Sequence, residues 1–273
     1  MMNIIHHLLS EHLDVWTATD HEKNSSRENG YQKFKTLYGV SKLRGLILDL
    51  AVSGRLTLQI DRQSVTISEL APIEGLHHFN IPSGWAWKML KEIGGTDTGK
   101  TPPTDNETFY DGKTPFIGPG QISNDFYILK AEKFISQEAE AYTRIANPGD
   151  VLMVCIGGSI GKTAIVANRT AINQQINVIH IRDCNSDYVH LCMRANFFQI
   201  RIKELSSGSA TPIINKGKWE NISIPIPPLE IQLEIVQKVD QLMRLCDDLE
   251  RDTFNLKLLQ EKLLSNSLEE LIF

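Results

Sequence analysis

The 273 residues carry 28 Lys+Arg against 33 Asp+Glu, a formal net charge of −5, with 41% hydrophobic and 22% charged residues. That balance is ordinary for a soluble globular protein, and the length allows one large domain or two modest ones. No apolar run approaches the ~18 residues that a membrane span needs.

Net acidity argues against a nucleic-acid partner until it is divided along the chain. Residues 1–83 carry 8 basic against 9 acidic groups, residues 84–227 carry 15 against 14, and residues 228–273 carry 5 against 10. The acid is concentrated in the tail. The middle is near neutral, and phosphate neutralisation drives most non-specific DNA affinity, so DNA binding by this chain alone should be weak.

In chain order, the N-terminus "MMNIIHHLLSEHLDVW" has acids and histidines where a signal peptide has a basic start. Cys155, Cys184, Cys192 and Cys246 form no C-x-x-C pair and sit in apolar or helical patterns. Buried free thiols and a cytoplasmic location are expected. Residues 1–83 read as a helical region broken by the polar "ATDHEKNSSRENG". Within it, "SKLRGLILDLAVSG" predicts a helix with Ser41 as N-cap and Gly54 as C-terminal stop. Leu43, Leu46, Ile47 and Leu50 make its apolar stripe.

Residues 84–228 mix short strands with helix, an α+β pattern. Near its start, "GGTDTGKT" places Gly94, Gly99, Lys100 and Thr101 on the four set positions of the phosphate-binding P-loop pattern. A working P-loop leads from strand into helix. Pro102 and Pro103 push this segment toward extended geometry, and "TDNETFYDGK" is turn chemistry. "DVLMVCI" (150–156), "TAIVA" (163–167) and "INVIHIR" (176–182) predict strands, the first two joined by the glycine-rich "GGSIGK". "SDYVHLCMRANFFQIRIKELSSG" predicts one capped helix ending near Gly208.

Residues 229–273 predict one long helix. Ile235, Val239, Leu242, Cys246 and Leu249 alternate spacings of four and three, the seam of a coiled coil, and Leu256 resumes it in a shifted register beyond Thr253. Such a seam needs an antiparallel partner from this chain, a second copy or another subunit.

Catalytic constellations fare badly. Asp105 with "DGK" (Asp111 to Lys113) imitates a nuclease motif, but lies in a turn-rich loop. Gly157, Ser159 and Gly161 satisfy G-x-S-x-G, yet "KTAIVA" continues as strand where a nucleophile elbow enters a helix. The adjacent pairs His6–His7 and His77–His78 cannot share one face. Neither H-E-x-x-H nor zinc-finger cysteine spacing occurs. No catalytic residue, metal ligand or cofactor site is expected.

Four stretches together carry a family resemblance: "HLDVWTA" with "LYGVSKLRGLILDLAVSGRLT", "IPSGWAWKMLKEIGG", "GDVLMVCIGGSIGKTAIV" with "INQQINVI", and "PIPPLEIQLEIVQKVDQLMRLCDDLE". From Trp16 onward the chain resembles the specificity subunit of type I restriction-modification systems, and within it the group that starts with "LDVWTA". The resemblance implies an N-terminal helical element (1–83), a target recognition domain (84–228) and a long spacer helix (229–273). It implies a non-catalytic subunit that binds double-stranded DNA and holds methylation subunits on a bipartite target, joined by restriction subunits.

Such subunits carry two recognition domains, whereas one is found here. Either the chain is a half-subunit that pairs with itself or it is a truncated two-domain subunit; self-association is expected in both cases, with Ile235, Val239, Leu242, Cys246, Leu249 and Leu256 at the interface. The alternative is an adaptor or DNA mimic that binds the methylation subunit without reading DNA. Base-reading positions vary within the family, so candidates are loop residues with suitable donors: Lys100, Thr101, Lys113, Gln121, Asn124, Lys162, Arg169, Lys216 and Lys218. Amides can read adenine edges, and basic groups can read guanine or hold phosphate.

Overall fold

A computed structural model describes residues 37–56, 79–208 and 210–272. The expectations for "HLDVWTA" and "ATDHEKNSSRENG" lie outside the described residues. The chain divides into two compact units. One contains 37–47 and 238–272 among its described residues, the other Leu48–Gln237.

Helix α1 spans Tyr38–Val52, three residues longer at its start than the sequence predicts. Ser41 is therefore inside the helix, its N–H donating to the Leu37 carbonyl, and is no cap. Gly54 does end the run: at φ 76° it takes the left-handed conformation while Arg55 and Leu56 N–H close on the Leu50 carbonyl.

The larger unit then runs through β1 (Ala86–Met89), α2 (Leu90–Ile93) and β2 (Gly94–Thr98). There follow β3 (Thr114–Ile117), β4 (Lys133–Ile135), β5 (Arg144–Ala146) and β6 (Val151–Val154). Next come β7 (Thr163–Ile165), β8 (Thr170–Ile172) and β9 (Ile176–Ile181). Helices α3 (Ser186–Arg194), α4 (Asn196–Leu205) and α5 (Lys216–Glu220) lead to β10 (Ser223–Ile226). Helix α6 (Leu229–Ile272) ends the described chain. The mixed α+β class is the one expected.

Two four-stranded sheets form the centre, in orders β2-β9-β6-β7 and β4-β3-β8-β5, with β1 and β10 as a separate pair. Every neighbour pair is antiparallel except β3 and β8. Alternation along the strands decides which core each residue joins. Ile117 and Ile172 point into a cluster with Leu152, Val154 and Val178 of the first sheet. Their neighbours Phe116 and Ala171 point the other way, onto Phe109, Ile135 and Ala139. Strand β6 is buried along its whole length because α3 packs on the face opposite that core.

The predicted single helix from Ser186 is two helices. Asn185 caps the first, its side chain accepting from Tyr188 N–H at 2.9 Å. Ala195 is extended (φ −65°, ψ 150°), so the chain turns before α4. Asp49 of α1, almost fully buried, then accepts from Asn196 N–H at 3.0 Å and from its Nδ2 at 2.7 Å. A carboxylate 147 positions upstream thus satisfies the start of a new helix. Burial pushes the Asp49 carboxyl up from its ordinary value, and the two Asn196 bonds oppose that shift.

The smaller unit pairs α1 with α6. Arg44 reaches Asp247 at 2.8 Å and Glu250 at 3.0 Å, and Glu250 also accepts from Leu37 N–H at 2.9 Å.

Candidate nucleic-acid interface

Strand direction decides which loops meet. Strands β2, β3, β6 and β8 all end where β7 and β9 begin, as the registers 154↔176 and 153↔163 require. The two sheets are tied at that end, where Asn173 N–H donates to the Ile117 carbonyl and Gly99 N–H to Ile176. Loop 99–103, the turn at Gly118, loop 157–162 and the Asn173-Gln174-Gln175 connection all gather there. Segment 210–214 joins them through the Ile156↔Ile213 bridge and Gly157 N–H on the Pro212 carbonyl.

The P-loop lookalike sits in this cluster and serves the sheets. A Cβ on Gly99 would lie 2.0 Å from the Asn173 carbonyl oxygen, so close backbone approach demands glycine. Lys100 N–H donates to the Ile172 carbonyl at 3.0 Å, and the Thr143 hydroxyl donates to the Lys100 carbonyl. No helix starts at Thr101.

Five candidates lie at this end. Lys100 has its backbone pinned and its side chain exposed. Thr101 donates its hydroxyl to Gln174 Oε1 at 2.5 Å. Gln121 accepts from Gly118 N–H at 3.0 Å, bracing the base of a hairpin whose tip carries the exposed Asn124. Lys162 is half-buried, its carbonyl bonded to Val154 N–H.

Of the other four, two stand apart. Lys113 precedes β3 and Arg169 precedes β8, so both occupy the opposite strand ends, about 15 Å away at ~3.3 Å per residue. They share an open cleft with Glu140. Arg169 is committed there by a two-pronged pair with Glu140, at 2.5 and 2.6 Å. That pairing holds the Glu140 carboxyl below its usual range and the Arg169 guanidinium above its own. Lys216 donates to the Thr96 carbonyl at 3.2 Å and lies 3.3 Å from Glu220, and Lys218 donates to the Leu205 carbonyl at 3.0 Å.

Residue-type reasoning missed Gln174, exposed at the gathering point, and Asp125, exposed beside Asn124. The two glutamines between apolar β8 and β9 were a legible signal. Asp125 falls outside a choice of loop residues with donors, because an ionised carboxylate only accepts. Among the described residues no group of three or more His, Cys, Asp or Glu could hold a metal ion. Nor is any described helix long and apolar enough to cross a membrane.

Residues 82–260 match the family described as the type I restriction modification DNA specificity domain. The chain belongs to that family. Among curated relatives, the type I restriction enzyme MjaIX specificity subunit of Methanocaldococcus jannaschii is 30% identical over 62% of this chain and 39% of the relative. The type I restriction enzyme EcoAI specificity subunit of Escherichia coli is 27% identical over 90% of this chain and 46% of its own. The chain thus spans less than half the length of these two specificity subunits. The crystal structure of the HsdS subunit from Thermoanaerobacter tengcongensis shares the fold at a TM-score of 0.57 and 22% identity, over 82% of this chain and 50% of that one.

For a member of the specificity family, the coiled-coil seam is divided. Ile235, Val239 and Cys246 are buried and Leu242 is half-buried, whereas Leu249 and Leu256 are 50% and 61% exposed. Leu245, Leu258 and Leu259 are exposed beside them.

Proposed function

We propose that this chain is a DNA sequence-specificity subunit that reads one half of a bipartite target and works as a self-paired half-subunit. Residues 84–228 act as the target recognition domain, residues 1–83 as an N-terminal helical region, and residues 229–273 as spacer and dimerisation helix. The chain does no chemistry itself. It scaffolds methylation subunits, and restriction subunits join that assembly, in the cytoplasm.

One observation carries the reading. A chain of this family gathers amide and basic loop residues at a single end of two tied sheets, where Lys100, Thr101, Gln121, Asn124 and Lys162 can meet one duplex. Amides supply base readout and lysines supply phosphate contact. Lys216 and Lys218 flank it, and Lys113 and Arg169 lie at the far strand ends. The exposed leucines of α6 support pairing with a second copy, since two-fold pairing would bury each of them twice. At ~1.5 Å per residue the 44 residues of α6 make a rod of ~66 Å, which sets the separation between two recognition domains. Half-site spacing follows from that geometry, and two-fold symmetry calls for an inverted-repeat target.

The test is to co-express the chain with its methylation subunit and map modified bases across the host genome. A bipartite inverted-repeat motif is expected. A stable complex that leaves no modified motif would overturn the reading in favour of an adaptor or DNA mimic.

A further inference from the structure

Phe126 is the only non-glycine residue with positive φ among the described residues, at 67°. A bulky side chain in the left-handed region is a genuine outlier, and such strain persists only where the surroundings hold it. Glycine or asparagine would take this backbone more easily.

The surroundings are specific. The Arg194 guanidinium lies 4.2 Å from the Phe126 ring centroid, a cation–π contact, and the His190 ring meets it edge-on at 6.1 Å. Burial, with the Arg194 charge next, depresses His190 to about 3, so that ring is neutral and Arg194 carries the cation. Both belong to α3, whose last turn is tied to loop 157–162 through one side chain of α4. Gln199 Nε2, at the start of α4, donates to the carbonyls of Met193 and Gly161. One anchor therefore locates the hairpin beside loop 157–162.

The hairpin itself is tightly made. Ile122 bridges Ile128, Leu129 N–H donates to the Gln121 carbonyl at 2.8 Å, and Ser123 N–H donates to Tyr127 at 3.0 Å. The Ser123 hydroxyl oxygen accepts from the N–H groups of Asp125 and Tyr127, both at 3.2 Å. These bonds leave the side chains of Asn124 and Asp125 exposed at the tip.

Their chemistry indicates what the tip meets. A carboxylate next to DNA phosphate is repelled, but it accepts well from the cytosine N4 amino group. An asparagine amide matches the donor and acceptor of adenine. A rigid tip carrying both, at the end where the basic loops gather, suits base edges and not the backbone. We propose that the Gln121–Leu129 hairpin is a base-reading finger, with Asn124 and Asp125 as its reading residues and Phe126 as the positioning residue. This rests on the specificity-subunit reading above.

The full chain is co-expressed with the methylation subunit, and modified bases are mapped for wild type, Asn124→Ala, Asp125→Asn, Phe126→Gly and Phe126→Tyr. The two tip variants should keep the wild-type thermal midpoint and the complex, yet make one or two adjacent motif positions degenerate. Discrimination there should fall by a factor on the order of 5 to 150. Phe126→Gly should loosen the same positions, and Phe126→Tyr should restore them. Tip variants that leave the motif unchanged overturn the proposal, as does Phe126→Gly loosening different positions. Should Phe126→Gly fail to fold, the tip variants decide. A wild-type motif with unmoved variants sinks the finger alone, whereas a wild type that directs no motif sinks the finger and the underlying reading together.

Discussion

Replacing Leu249 and Leu256 together by lysine should break self-pairing without unfolding the helix. Lysine is as good a helix former as leucine, and it offsets the acidity of the tail. The two leucines are 50% and 61% exposed, so a partner helix could cover about half of each. Fully burying a leucine stabilises by ~1.5–3 kcal/mol. Covering the exposed fractions therefore contributes ~2–3 kcal/mol per copy, and ~3–7 kcal/mol when a two-fold interface uses each residue twice. That corresponds to roughly two to five decades in the dimer dissociation constant. Sedimentation equilibrium across a concentration series reads it directly. The expected outcome is a dimeric wild type, a monomeric double variant with unchanged helix content, and loss of the bipartite motif in the double variant. A wild type that stays monomeric at tens of micromolar, or a double variant that dimerises as well as wild type, would refute the reasoning.

Asp49→Ala removes both acceptors at the start of α4. Bonds to a charged group are worth ~1.5–3 kcal/mol each, and relief from burying the carboxylate offsets part of that. A net loss of ~2–4 kcal/mol is expected, seen as a fall of about 5–15 °C in thermal midpoint; an unchanged midpoint would contradict the capping role. His180 is held above its ordinary value by its 2.7 Å bond to Asp150, against the opposing effect of burial. Its contribution to stability is therefore complete below pH ~6.5 and is lost as pH rises through the raised folded value. His180→Asn should flatten the midpoint-versus-pH curve in that window, and an unaltered curve would count against it. Lys100→Ala should weaken DNA binding by the complex evenly across sequences and lower the salt slope by ~1. Arg169→Ala should leave the modified motif as it is, because that guanidinium is bound to Glu140 at the far strand ends; a changed motif would return Arg169 to the interface.

Much of the architecture was legible in the chain. Strands β6, β7 and β9, the stop at Gly54 and the length of α6 follow from runs of apolar residues and turn chemistry, which are local properties. The family is legible for the same reason, since its motifs are contiguous stretches. The candidate interface was half legible. Lys100, Thr101, Gln121, Asn124 and Lys162 were reachable from residue type and loop context. Nothing in type or context separates Arg169 from Lys162, and only the direction of β8, opposite to that of β7, does so.

What sequence alone determined, then, is helix α1, strands β6, β7 and β9, the long α6, the false P-loop and the family, because each depends on neighbours within a few positions. Tertiary structure decided the rest through contacts between distant residues. A carboxylate in α1 starts α4 after Ala195. Parallel pairing of β3 with β8 carries Gly118 and Asn173 to one end and Lys113 and Arg169 to the other. Ile235, Val239 and Cys246 are buried, and Leu249 and Leu256 are left exposed. A heptad pattern states which side of a helix is apolar; how far along the helix that side is already covered depends on what packs against it.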